Sequence, residues 1–183
     1  MIRLAFFVFF GLLPACRADS LVIKTNYYSL TGATPFEIRE DIAKKRPWKG
    51  DSDAFTSWRI NWSFASTSSD SDCTLRSLDV KTEIVLTLPE WRSPAEASEE
   101  IKKRWNDYCE ALLLHEDGHK RLALAASAEV KKRLREIKSA RTCAALETMV
   151  SAEANKIIRN YQERDKTYDE RTRHGRSQGA AFP

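Results

Sequence analysis

Apolar positions alternate with polar ones in the first half of the chain and recur every three or four residues in the second. This change of period separates a strand-rich part from a helical part. Leu21 to Leu30 alternates as a strand. Thr31-Gly32-Ala33-Thr34-Pro35 supplies a turn and a helix start, with Pro35 at the first position of a helix ending near Lys45. Proline suits that position because its φ is already helical and its missing N–H would have had no partner there. Phe55, Trp58, Ile60, Trp62 and Phe64 fall at mostly two-residue spacing, the pattern of a strand over Phe55 to Ala65 with one buried face. Serines and aspartates from Ser66 to Asp72 make a loop. Leu78, Val80, Ile84, Leu86 and Leu88 then alternate up to Pro89, so a strand over Leu75 to Leu88 is expected to pair with its predecessor as a hairpin.

In Ser93-Pro94-Ala95-Glu96, an N-capping serine, a proline and a glutamate three residues on predict a helix start. Ile101, Trp105, Tyr108, Leu112, His115, His119, Leu122, Ala126, Val130, Leu134 and Ile137 form one stripe along it. A turn over Ser139 to Thr142 is followed by a second stripe: Cys143, Leu146, Val150, Ala154, Ile157 and Tyr161. No repeat, low-complexity segment or linker interrupts the region after the leader described below. The expected fold is one α+β domain over residues 19–183, a small antiparallel sheet packed on a long antiparallel helical hairpin.

The 183 residues, 42% apolar and 31% charged, have the composition of a globular domain rather than a disordered chain. Residues 1–18 stand apart. A basic start, Met1-Ile2-Arg3, precedes the nearly continuous apolar run Leu4 to Leu13, which is the profile of a signal peptide cleaved after Ala18. That run is about half the length a membrane span requires. Leu13-Pro14-Ala15-Cys16 also has the form of a lipoprotein box, with Cys16 as the lipid-bearing residue, although a proline is unfavourable within it. Both routes predict a secreted or periplasmic protein with no membrane span. The net charge of +4 is small, and its cations are interspersed with acids, so no nucleic-acid partner is indicated.

His115-Glu116-Asp117-Gly118-His119 is an HExxH motif. Helical residues four apart lie one above the other, so both imidazoles reach one ion and the glutamate sits beside the remaining open position. Both histidines lie on the apolar stripe, where unpartnered imidazoles and a carboxylate would be costly to bury. Ligand type points to Zn2+ held by His115 and His119, with Glu116 as general base toward the attacking water. A third ligand is required. If the hairpin turns near Ala140, Asp165 and Tyr168 lie beside the motif, and the few residues after Asp169 can carry His174, the one other histidine, to the metal. Asp165 and Asp169 are the carboxylate alternatives.

The chain resembles a bacterial family of predicted secreted zinc-dependent proteases that is catalogued as a domain of unknown function. The matching landmarks are Tyr28-Ser29-Leu30-Thr31-Gly32, Thr56-x-Trp58, Trp62-x-Phe64, Cys73, Leu114-His115-Glu116-x-Gly118-His119, Cys143, and Tyr168-Asp169-x-x-Thr172-x-His174-Gly175-x-x-Gln178-Gly179. The resemblance implies a zincin-like metal helix, a metalloprotease acting on peptides or proteins, and His174 as third ligand. Tyr168 then invites a role as donor to a developing oxyanion, and Asp169 one as the partner that fixes a histidine tautomer. The competing class is a non-catalytic binding or structural module with a zinc site.

Three cysteines follow the leader, in a compartment that permits a bridge. Cys143 opens the second helix, and Cys109 lies about thirty residues away along the first, about 45 Å in a straight helix. That separation rules out a bond between them. Of the two pairings that remain, Cys73 with Cys143 is the expected disulfide, tying the strand region to the end of the hairpin, with Cys109 then a buried free thiol.

Overall fold

The computed structural model describes residues 19–182. The leader expected over residues 1–18, the cleavage after Ala18 and the lipid-bearing Cys16 lie outside the described residues. β1 (Ser20–Leu30) leads into α1 (Pro35–Lys45), and β2 (Phe55–Ser68) and β3 (Cys73–Trp91) form a hairpin. The long α2 (Glu99–Glu136) follows, then the two-residue β4 (Ser139–Ala140), α3 (Cys143–Thr172) and a single 3-10 turn over Arg176–Gln178.

The sheet is mixed, which corrects the antiparallel expectation. Its order is β1-β3-β2, with β1 parallel to β3 and β2 antiparallel to it. Alternation shows which face of β1 is apolar but does not show which strand lies beside it or in what direction. β3 also runs past Pro89 to Trp91, where β2 has already ended at the Phe55 pair with Thr87. Only one flank of the strand is laddered there, so the proline is tolerated.

Local chemistry accounts for the helix ends. Thr34 caps α1 by accepting from the Glu37 N–H while the Glu37 carboxylate accepts from the Thr34 N–H, a reciprocal capping box. α2 starts later than the serine-proline signal suggests. Pro94 accepts from the Ala97 N–H in a tight turn, and the cap is Ser98, whose hydroxyl accepts from the Ile101 N–H at 3.3 Å. Glu99 and Glu100 then face the positive end of the helix dipole.

α2 and α3 meet along their length with residue numbers falling on one as they rise on the other. Arg133 pairs with Glu153, Tyr161 donates to Glu129, His119 meets Asp165 and His115 meets Asp169. One sheet face, carrying Ile60, Val80, Thr82, Ile84 and Leu86, is buried toward this pair. Near β4 the core is wholly apolar, with Val130, Leu134, Leu146 and Val150 all inaccessible to solvent. The disulfide Cys73–Cys143 ties β3 to the start of α3 there, and Cys109 is free and half-buried. At the other end Leu30, Ile38, Ile42, Trp105 and Tyr108 form a second cluster, closed by Phe182 from the C-terminal segment. The polar centre lies along α2 between these clusters. No helix among the described residues is long and apolar enough to cross a membrane.

Candidate metal centre

Among the described residues, the buried polar or charged side chains are Thr56, Thr82, His115, Glu116 and His119, and all but Thr82 meet in one place. α2 sets His115 and His119 one turn apart with their rings edge to face, centroids 4.7 Å apart. Their Nε2 atoms lie 3.2 Å apart, and each is 3.1 Å from Oδ1 of Asp169 on α3. The opposite ring nitrogens are separately engaged. His115 Nδ1 lies 3.0 Å from the Gln178 side-chain oxygen, and His119 Nδ1 lies 2.8 Å from Asp165 Oδ1. Trp58 on β2 donates to the other Asp165 oxygen.

These contacts assign the tautomers. Gln178 Oε1 and the Asp165 carboxylate can only accept, so each Nδ1 carries the proton and each Nε2 presents a lone pair. Two such lone pairs then face each other and a carboxylate oxygen, an arrangement that repels itself unless a cation or a proton sits between them. A tetrahedral zinc with bonds of about 2.0–2.1 Å holds its ligand atoms about 3.3 Å apart, close to the separations found here. His115, His119 and Asp169 therefore fit a divalent metal, and they form the group of described residues able to hold one.

The titration behaviour has the same origin. Burial works against a charged His119, but hydrogen bonds to Asp165 and Asp169 outweigh it and raise the imidazole to about 10. Burial likewise opposes ionisation of Asp169, yet the bonds from His115 and His119 hold its carboxyl well below the usual carboxylate range. Without a metal, a proton serves as the cation between them. Burial pushes the Glu116 carboxyl up, with the Thr56 hydroxyl and the charges of His119 and His115 pulling the other way. Thr56 Oγ1 donates to Glu116 Oε2 at 2.5 Å, so one carboxylate oxygen is fixed by the sheet and Oε1 remains for other work. Asp117, at the third position of the motif, points elsewhere and pairs with Lys120 and Arg121.

Tyr168 stacks on the His115 ring at 12° and lies edge-on to His119. Its hydroxyl, considered above as an oxyanion donor, donates toward the His115 carbonyl at 3.3 Å and accepts from the Gln178 amide at 3.2 Å. That hydroxyl occupies the space a Cβ at position 118 would need, which explains the glycine inside the motif. His174, half-exposed, is not within the three-atom group; its Nδ1 lies 3.2 Å from the same Asp169 oxygen. Asp169 thus stands at the third corner and His174 outside it. Thr56, Trp58 and Gln178 stand in the sequence as landmarks of the resemblance, with no role at the site assigned to them; the structure gives them these supporting contacts. Thr56 carried a usable signal, a polar residue at an inward position of a strand.

The fold and the site define an α+β domain with a buried His/His/Asp group suited to a metal. The chain belongs to a family described as "Bacterial protein of unknown function (DUF922)", whose model matches residues 25–175. No curated protein and no solved structure matches it.

Proposed function

We propose that this protein is an extracytoplasmic zinc-dependent hydrolase, a peptidase, built on a zincin-like helix. The observation that supports it is the meeting of three lone pairs from His115, His119 and Asp169 beside a buried carboxylate, Glu116, that is not among them. A bound zinc would supply Lewis acidity and make water a nucleophile near neutral pH. Glu116 receives the proton of the attacking water on Oε1 and passes it to the leaving amine, while Thr56 holds Oε2. Burial raises the basicity of Glu116, which suits a group that must take up a proton and release it again. Asp165 and Gln178 hold the two histidines in the tautomers that present Nε2. Tyr168 acts as a positioning residue through its stacking on His115. The intramolecular disulfide accords with a secreted or periplasmic location.

A second reading, a metal-holding module without catalysis, is favoured by one observation. His174 lies 3.2 Å from the ligand oxygen of Asp169 and would close the coordination sphere if it swung inward. Metal analysis combined with cleavage of a mixed peptide library separates the two. One zinc per chain, cleavage by wild type and none by zinc-loaded Glu116→Gln supports the hydrolase. Stoichiometric zinc with no cleavage supports the module, and absence of bound metal rejects both.

A further inference from the structure

The segment after α3 turns back on itself through three successive left-handed residues, Arg173, His174 and Gly175, with φ of 52°, 52° and 80°. Left-handed backbone in consecutive non-glycine residues is unfavourable and persists only where surrounding contacts impose it. The imposing contacts are at the metal centre. The His174 N–H donates to the Asp169 carbonyl at 3.0 Å, Gly175 lies so close to His115 that a Cβ would come within 2.9 Å of the ring, and Gln178 reaches His115 Nδ1. The same turn presents Arg173, His174, Arg176 and Ser177 around a cleft of about 300 Å³, with Asp51 as its only acidic lining residue. His174 forms the wall shared with the metal group, through its contact with Asp169. Neither Arg173 nor Arg176 has a carboxylate within ion-pair distance among the described residues, so both guanidinium groups lining the cleft are open to a ligand, although Arg59, Arg164 and Arg171 elsewhere are likewise unpaired.

We propose that this cleft receives a carboxylate of the substrate, bound by Arg173 and Arg176, so that the substrate class is an acidic peptide; this rests on the hydrolase reading of the neighbouring metal centre. A guanidinium pair matches a planar carboxylate with parallel N–H donors, and a site walled by His174 places the peptide carrying that carboxylate next to Asp169. The carboxylate can be the peptide's C-terminus or an aspartate or glutamate side chain.

The test is equilibrium binding of fluorescent octapeptides to the zinc-loaded Glu116→Gln protein, followed by anisotropy. One sequence frame is made with or without two aspartates, each with a free or an amidated C-terminus. At least one carboxylate source should tighten Kd by about tenfold or more over the neutral amidated peptide, the scale of a charged hydrogen bond. Preference for the free C-terminus assigns the α-carboxylate, and preference for the aspartates assigns side chains. Arg173→Met and Arg176→Met should each erase the preference, and Arg176→Glu should turn it toward a lysine-bearing peptide, which a merely structural role would not do. Equal binding of all four peptides, no binding of any, or a preference surviving in both methionine variants overturns the proposal. Carboxylate preference without cleavage by wild type would leave the cleft standing and remove the hydrolase reading; cleavage without preference would do the reverse.

Discussion

Two stretches of the same α2 stripe are buried to a similar degree and filled with opposite chemistry. Near β4, Val130 and Leu134 are inaccessible and surrounded by Leu146 and Val150, a core that any well-packed apolar set would satisfy. Four turns earlier, His115, Glu116 and His119 are 2–5% exposed, yet each meets a polar partner from another element: Gln178, Thr56 and Asp165 respectively. Helical period alone makes both stretches look like core. What separates them is that burying apolar groups stabilises by itself, whereas burying polar groups costs free energy unless every donor and acceptor is matched. Every buried side-chain nitrogen and oxygen among the described residues has a polar neighbour, and the two Nε2 atoms, which face only acceptors, need a cation or a proton to complete the match. The β4 end is thus shaped by volume, and the histidine end by direction.

The sharpest way to break this contrast is to remove one ligand. His119→Ala should abolish stoichiometric zinc binding and with it any hydrolysis, with metal content measured on protein still folded by circular dichroism; zinc retained at one per chain would remove His119 from the metal group. Leu134→Ala probes the other end. It should lower unfolding free energy by about 2–5 kcal/mol through lost contact and a cavity. Zinc affinity of the folded fraction should stay the same, and a parallel loss of affinity would show that the two ends are not independent.

Smaller effects come from the supporting partners. Gln178→Ala should weaken zinc binding by about 10- to 100-fold, because His115 loses the acceptor that fixes its tautomer. A competition titration with a metal chelator reads this directly, and an unchanged affinity would show that Thr172, 3.4 Å from the same nitrogen, suffices. His119 is raised from 6.5 to about 10 in the metal-free protein, so its contribution to stability is complete below about pH 6.5 and is lost as pH rises toward 10. The melting temperature of the metal-free protein should fall over that window. The zinc-loaded protein should not share the slope, since the metal takes the proton's place at Nε2; identical slopes would contradict the assignment.

Much of the fold was legible because it depends on local period. The strand pair β2 and β3, the cap of α1 at Thr34 and Pro35, and both long helices follow from spacing and capping chemistry within a few residues. Helix length excluded a Cys109–Cys143 bridge, and of the two pairings left the expected one, Cys73–Cys143, is formed. The start of α2 was misplaced because Ser93-Pro94 and Ser98 offer comparable local signals, and only the turn from Pro94 to Ala97 selects the second. The parallel pairing of β1 was invisible for a different reason: alternation shows which face of a strand is apolar, not which strand lies beside it or in what direction.

The same division runs through the site. Sequence by itself determined that His115 and His119 share a helix face with Glu116 beside them, since a four-residue spacing on a helix admits no other arrangement. Only the tertiary structure decided that Asp169 meets both Nε2 atoms while His174 stays outside, and that Thr56, Asp165 and Gln178 hold the set in place. Those residues come from β2, α3 and the turn beyond it, and contacts between distant segments are set by how the elements pack, to within a fraction of an ångström that periodicity does not carry.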